Sequence, residues 1–357
     1  MRFPRLLVIH RWISLAFVAL WILQAASGLA IGFRADIDDF FLGQDATATN
    51  AEALEKAVTE LQANGDNISS IWISGGREGQ YDAYLTRDGE HRTVRIDGAG
   101  TFIRDRSDEQ LFSDGAIFET LTQFHKSLML GNTGYIIFFI SGCLLLSNIC
   151  LGLWMGWPRR KRLKGFTKTR KAPSAITLSG WHWRIGFWGL LPALVVISAG
   201  IALNQADFVE NTLGVEEASP ERQDYSSGTT ISLATAIETA LAEYPGSTLV
   251  AINLPSDDST WYKFRLNAPG EMPRLYGATR VFVGLDGEVL LTHDAANSAF
   301  NARIAEALYP VHTGQIGGLV GRLVNTAVGI WLLVMMYLGL RLWMNKRQRS
   351  GAASPSP

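Results

Sequence analysis

Four long apolar runs punctuate the chain, each long enough to cross the roughly 30 Å hydrocarbon core of a bilayer as a helix rising about 1.5 Å per residue. The first is WISLAFVALWILQAASGLAIGF, Trp12 to Phe33; the others run from about Thr133 to Trp157, from Trp183 to Leu203, and from about Leu323 to Leu340 behind a Gly-rich turn. None contains Asp or Glu. The first also has features of a secretory signal peptide, with Arg2 and Arg5 ahead of it and small residues at Ala25, Ala26 and Ser27, but it outruns the apolar core of about 7 to 15 residues typical of such peptides. Two mixed stretches separate the runs. Each opens on a helical pattern, NAEALEKAVTELQANG in one and ISLATAIETALAEYPG in the other. Strand-like segments follow: SSIWISG, YDAYLTR, RTVRID and GTFIRD, then TLVAINL, TWYKFRLN, RVFVGL and GEVLLTH. The pattern predicts an α-helical membrane protein. A four-helix transmembrane bundle carries two α+β domains, arranged as an internal twofold repeat.

Charge orients this plan. Of the 357 residues 33 are Asp or Glu, and all fall in the two mixed stretches, 18 between Arg34 and Glu119 and 15 between Asp207 and Glu306. The connection Pro158 to Lys171 carries eight basic residues and no acid, Arg2, Arg5 and Arg11 precede the first run, and Arg341, Lys346, Arg347 and Arg349 follow the last. Cytoplasmic loops retain Lys and Arg, so both termini and the basic loop are expected in the cytoplasm and the acidic stretches outside. The expected order is a cytoplasmic start and first span over 1–33, an outer domain over 34–118, a second span over 119–157, a basic loop over 158–180, a third span over 181–203, an outer domain over 204–308, a fourth span over 309–344 and a cytoplasmic tail over 345–357. A basic loop so close to two spans suits anionic lipid headgroups of the bilayer better than nucleic acid. Two cysteines without a CxxC exclude a disulfide scaffold, a zinc ribbon and covalent c-type haem attachment. Cys143 and Cys150 are read as packing residues of the second span. No nucleophile elbow, phosphate loop or metal-ligand cluster marks the outer stretches.

The histidines carry the chemistry. His10 and His182 stand just before the first and third runs, 172 positions apart, while His125 and His312 stand before the second and fourth, 187 apart. The topology puts one pair in each leaflet, facing across the repeat. Paired imidazoles between apolar helices suit a non-covalent haem with both axial positions filled, which transfers electrons and leaves no open site on iron. Arg11, Arg184, Lys126 and Arg322 lie close in sequence to these histidines and could pair with haem propionates. Phe17, Trp21, Phe138, Phe139, Phe187, Trp188 and Trp331 are candidates for the apolar walls, and Trp12, Trp157, Trp183 and Trp343 for anchors at the membrane interface. His91 and His293, in strand-like segments, are read as surface residues.

The helix-entrance histidines, the FHKSL and VHTGQ segments, the Pro-Arg-Arg-Lys loop and the α+β outer stretches resemble the PepSY-associated transmembrane family over nearly the whole chain, and within it the inner-membrane ferric-siderophore reductases of the ferrioxamine type. The resemblance implies PepSY-like periplasmic domains and two haem b groups, held by His10 with His182 and by His125 with His312. It also implies reduction of a ferric siderophore in the periplasm with release of Fe(II). The chain finishes in KRQRSGAASPSP with no flavin domain, so the donor is expected to be a separate cytoplasmic reductase or a membrane quinol. An acidic outer surface predicts a preference for cationic chelates over anionic ferric citrate. Two other classes fit less of the sequence: a haem-free regulator whose outer domains bind peptides or a protease, and a proton-coupled transporter, which would keep an acid inside its spans.

Overall fold

The computed structural model describes residues 3–42, 47–74, 78–113, 115–157, 174–215, 219–221, 230–256 and 259–352. In chain order the helices are α1 (Phe3–Ile31), α2 (Arg34–Leu42), α3 (Ala51–Ala63), α4 (Ala116–Ser127), α5 (Gly131–Gly156), α6 (Ser174–Trp188), α7 (Leu190–Asn204), α8 (Ala206–Leu213), α9 (Leu233–Glu243), α10 (Phe300–Thr313) and α11 (Gly318–Ala352). The strands β1 (Asn67–Ile73), β2 (Gln80–Arg87), β3 (Glu90–Asp97) and β4 (Phe102–Ser107) lie between α3 and α4. Their counterparts β5 (Thr248–Asn253), β6 (Trp261–Asn267), β7 (Thr279–Gly284) and β8 (Val289–His293) lie between α9 and α10. The chain divides into a helical unit, 1–32 with 121–205 and 311–357, and a sheet unit, 33–120 with 206–310. The basic stretch Pro158–Lys171 lies outside the described residues.

In the helical unit α1, α5 and α11 are each long and apolar enough to cross a membrane. The protein is therefore a membrane protein. Helix α1 packs on α5 and α11, and α6 and α7 pack on the same two. The third expected span differs from the sequence reading, because it is not one helix: α6 and α7 meet at Gly189 with a bend of 62°. Pro192 lacks an N–H and its ring excludes the carbonyl of Trp188, four residues earlier, which weakens the helix at that point. The Trp331 indole fills the corner, in space that a Cβ on Gly189 would need, and its Nε1–H donates to the Ile185 carbonyl at 2.7 Å.

The sheet unit departs further from expectation. Two separate α+β domains are predicted, yet the eight strands form one antiparallel sheet in the order β4-β3-β2-β1-β5-β6-β7-β8. The halves join where Ser70, Ile71 and Trp72 of β1 pair with Asn253, Ile252 and Ala251 of β5. Each half alone would expose a nearly uncharged edge strand, NISSIWI or TLVAIN, and pairing the two edges satisfies both sets of backbone groups. One face of the sheet is covered by α3 and α9, whose buried residues recur at helical spacing: Leu54, Ala57, Val58 and Leu61 on α3, Leu233, Ala236, Ile237 and Ala240 on α9. Asn50 and Ser232 cap these helices through the N–H groups of Ala53 and Thr235. Glu55 of α3 also accepts the Ala234 N–H at the start of α9.

The opposite face carries charge. Cross-strand register sets Arg104, Arg95, Asp82 and Trp72 in a row over β4 to β1 and continues it through Ala251, Arg265, Arg280 and His293 over β5 to β8. In the first half α2 neutralises the row: Asp38 accepts from Arg95 at 2.7 Å and from both Nη atoms of Arg104 at 3.0 Å, while Asp82 accepts from Arg95 at 2.8 and 2.9 Å. Burial pushes the Asp38 carboxyl up, but the hydrogen bonds and charges of Arg104 and Arg95 outweigh it and hold the group below the usual carboxylate value. Its stabilisation is therefore complete above the ordinary carboxylate pKa and is lost as pH falls through the lowered folded value. Asp38→Asn leaves two buried guanidinium groups short of an acceptor and should cost about 3 kcal/mol in denaturant unfolding followed by far-UV circular dichroism. The penalty should shrink as pH falls through the lowered folded value of Asp38, because the parent carboxyl is then itself protonated and has lost the same pairing.

Candidate functional site

The four histidines predicted as ligands sit on the helical unit at corresponding places. His10 lies inside α1 and His182 inside α6, so both are part of the helices and do not merely precede them. His125 and His312 occupy the last turns of α4 and α10, short helices that lead into α5 and α11. Sharp left-handed turns follow them. Leu128 and Met129 have φ of 53° and 58°, and Gly131 and Gly318, which are 187 positions apart, both have φ of 55°. Side chains rarely adopt this region, so the Leu128–Met129 pair marks a backbone conformation that its surroundings impose.

Each imidazole rests on a glycine of a neighbouring helix. An ideal Cβ on Gly28 would lie 2.9 Å from His125 Cε1, on Gly200 2.6 Å from His312 Cε1, on Gly152 3.4 Å from His10 Cε1 and on Gly339 3.7 Å from His182 Cε1. These glycines obey the offsets of the histidines: Gly28 and Gly200 are 172 apart, Gly152 and Gly339 are 187 apart. Their purpose follows from helix geometry. A helical carbonyl points towards the residue four positions on, and with no Cβ there its second lone pair is open to a side chain from outside. His125 Nδ1 meets the carbonyl of Gln24, four residues before Gly28, at 3.1 Å; His312 Nδ1 meets that of Val196, four before Gly200, at 3.0 Å; His10 Nδ1 meets that of Asn148, four before Gly152, at 3.1 Å. A carbonyl can only accept, so Nδ1 carries the proton in each case and Nε2 keeps its lone pair for a metal. The fourth place, Met335 before Gly339, has no such bond, and His182 Nδ1 is buried without a partner.

One pair of histidines stands ring to ring. The rings of His125 and His312 have centroids 6.3 Å apart and an interplanar angle of 28°. An iron held by one nitrogen of each ring at about 2 Å, the usual metal–imidazole length, would set the ring centres roughly 6 Å apart, since each nitrogen is about 1 Å from its ring centre. His10 and His182 come close enough to interact electrostatically. Among the described residues no three His, Cys, Asp or Glu side chains converge on one point. Two imidazoles without further protein donors suit a metal whose other ligands come from a macrocycle, and the residues present fit a haem.

Around the first pair of helices a polar ring fixes His10: Ser14 Oγ donates to the His10 carbonyl at 2.8 Å and Asn148 Nδ2 donates to Ser14 Oγ at 2.8 Å. The corresponding positions in the second half are Gly186 and Met335, whose side-chain methyl would touch a Cβ on Gly186, so His182 has no such clamp. Arg11 Nε is buried with no partner, an open donor beside His10. Arg322 donates to the Gly32 carbonyl at 3.2 Å, and Arg184 and Lys126 flank His182 and His125 in sequence. The apolar walls divide. Phe138 and Trp21 are buried, Trp21 stacking on Phe17 and donating to Ser141 Oγ, whereas Trp188 is 74% exposed and Phe139 36%. Trp331 serves the α6–α7 corner, and Trp12 and Trp157 are exposed. Away from the histidine pairs, His91 is exposed, whereas His293 is bound by Glu306 at 2.7 Å.

Sequence reasoning missed the four glycines, although the shared offsets of 172 and 187 were a signal for them. No curated protein matches the chain. The pattern that defines the PepSY-associated TM region matches residues 7–346, which takes in all four histidines, both helix pairs and the sheet unit between them. The chain belongs to the PepSY-associated TM region family.

Proposed function

We propose that the protein carries electrons across the bacterial inner membrane through two haem b groups and reduces a ferric siderophore in the periplasm, releasing Fe(II). In this reading the helices form a four-helix bundle with an internal twofold repeat, both termini face the cytoplasm and the acidic sheet unit is periplasmic. The observation that carries it is the His125–His312 pair, with ring centroids 6.3 Å apart and each Nδ1 committed to a backbone carbonyl. A haem held by these imidazoles would supply one-electron transfer.

The chain's own residues then have defined tasks. Gln24 and Val196 hold the outer imidazoles in the tautomer that presents Nε2, and Asn148 does so for His10. Gly28, Gly152, Gly200 and Gly339 let the rings approach the helices. Arg11, Arg184 and Arg322 are proposed to receive propionates at the two faces, with Arg11 Nε supplying a donor that has no partner of its own. Siderophores bind through hard oxygen donors that prefer Fe(III) to Fe(II), so delivery of one electron weakens their hold on the metal. A separate cytoplasmic reductase or a membrane quinol is the proposed donor.

The test is spectroscopic. Protein purified in mild detergent from haem-replete cells should show two low-spin b haems per chain in oxidised and dithionite-reduced spectra. His125→Ala and His182→Ala should each lose one haem or turn one high-spin. A colourless preparation would discard electron transfer and leave peptide or protease binding by the sheet unit.

A further inference from the structure

The sheet unit contains a cavity of about 260 Å³ between the loop 270–278, the turn 295–296 and α10. Two arginines and two glutamates line it: Arg274, Arg303, Glu271 and Glu306. The acids are engaged elsewhere. Glu306 Oε1 binds His293 Nε2 at 2.7 Å, and Glu271 Oε2 accepts from the N–H groups of Ala278 and Thr279 and the Thr279 hydroxyl at 3.3, 3.1 and 2.9 Å, which closes the loop on itself. The arginines are not. Arg274 uses one of its five N–H donors, Nη1 on the Glu306 backbone carbonyl at 3.2 Å, and its Nε is buried with no partner. Burial outweighs the neighbouring acids and pushes its guanidinium below the ordinary arginine value. Arg303, nearly one turn before Glu306 on α10, is exposed at the edge of the cavity and makes no ion pair among the described residues. Arg280 adds a further positive charge within range of Arg274.

A half-buried guanidinium with unused donors, beside an exposed one, has the charges of Glu271 and Glu306 within range but no carboxylate oxygen hydrogen-bonded to it, so its donors are open to an outside acceptor. From this we infer that the cavity is a receptor for a small oxyanion-bearing ligand, a carboxylate or a phosphate, gripped between Arg274 and Arg303. The site lies wholly in the sheet unit and does not depend on the haem reading. It gives that unit local anion selectivity although the stretches that build it are acidic overall. An anionic chelate or metabolite is therefore accepted at this point, where the net charge alone would repel it.

The full-length protein in detergent should be titrated with succinate and, separately, with inorganic phosphate, keeping ionic strength fixed with chloride and following the thermal midpoint. A saturable rise with either oxyanion and none with chloride is expected, and the larger response identifies the group as carboxylate or phosphate. Arg303→Ala removes the exposed guanidinium, and Ala296→Asp puts a competing carboxylate on the wall. Each should weaken the apparent affinity at least tenfold while the visible spectrum stays as in the parent protein. Absence of a saturable rise with both oxyanions, or a response left unchanged in either variant, overturns the inference.

Discussion

Gly134→Ala and Gly321→Ala are each expected to collapse the turn that follows His125 or His312, with a large loss of folded protein. A Cβ on Gly134 would fall on the backbone carbonyl of Ser127, and one on Gly321 on that of Gly314, so the obstacle is main chain and cannot rotate aside. The two glycines are 187 positions apart and sit at the same place in α5 and α11, just beyond His125 and His312. To admit a methyl group the α4–α5 turn would have to open, and it already holds Leu128 and Met129 at φ of 53° and 58°. Overpacking of a side chain alone costs about 1 to 3 kcal/mol; against backbone, in a turn already strained, about 3 kcal/mol or more is expected. The measurement is the yield of monodisperse protein from membranes together with its visible spectrum. Gly317→Ala is the control, because its Cβ would enter open space and its φ is not left-handed. Parental yield and spectrum from Gly134→Ala would show that the turn is more pliable than its geometry implies.

How much of this was legible depended on whether a feature is local. Apolar runs, basic flanks and helix caps are short-range, so the spans and the α3 and α9 helices follow from the sequence directly. Pro192 is equally visible, but many membrane helices absorb a proline, and the 62° break also needs Trp331 in the corner beside Gly189, a contact between residues 142 positions apart. The joined sheet was hidden for a similar reason. Nothing in NISSIWI or TLVAIN identifies the other strand as its partner, and only the mutual need of two uncharged edges brings them together.

The site was half legible. Histidine is scarce, so four of six at equivalent positions stand out, while glycine is frequent in membrane helices and the seats at Gly28, Gly152, Gly200 and Gly339 are lost among 35 glycines unless the histidine offsets are applied to them. The symmetry also concealed a difference. Ser14 and Asn148 on one side correspond to Gly186 and Met335 on the other, so His10 is clamped and His182 is left with a buried, unpartnered Nδ1. The arginine cavity was out of reach, since neither its geometry nor the engagement of Glu271 and Glu306 can be seen in the composition of a stretch that is acidic overall.

Substituting the seat glycines should give a graded series that separates ligand geometry from general packing. Gly200→Ala would place a methyl 2.6 Å from His312 Cε1 and Gly28→Ala one 2.9 Å from His125 Cε1, so the imidazole must retreat by several tenths of an ångström to reach ordinary contact. That movement draws Nδ1 from the carbonyl of Val196 or Gln24 and shifts Nε2 by more than the roughly 0.2 Å that metal–ligand distances tolerate. If the two pairs hold haem as proposed, each variant should therefore lose the low-spin signal of the His125–His312 pair, or convert it to high-spin, while that of the His10–His182 pair persists. Gly152→Ala, at 3.4 Å from His10, should broaden or shift the signal of the His10–His182 pair without removing it, and Gly339→Ala, at 3.7 Å from His182, should match the parent. The order is set by distances to the rings and not by helix propensity, which would favour alanine equally at all four positions. Loss of haem from Gly339→Ala with retention in Gly200→Ala would reverse that order and mean that the imidazoles do not bind metal in the positions their glycine seats define.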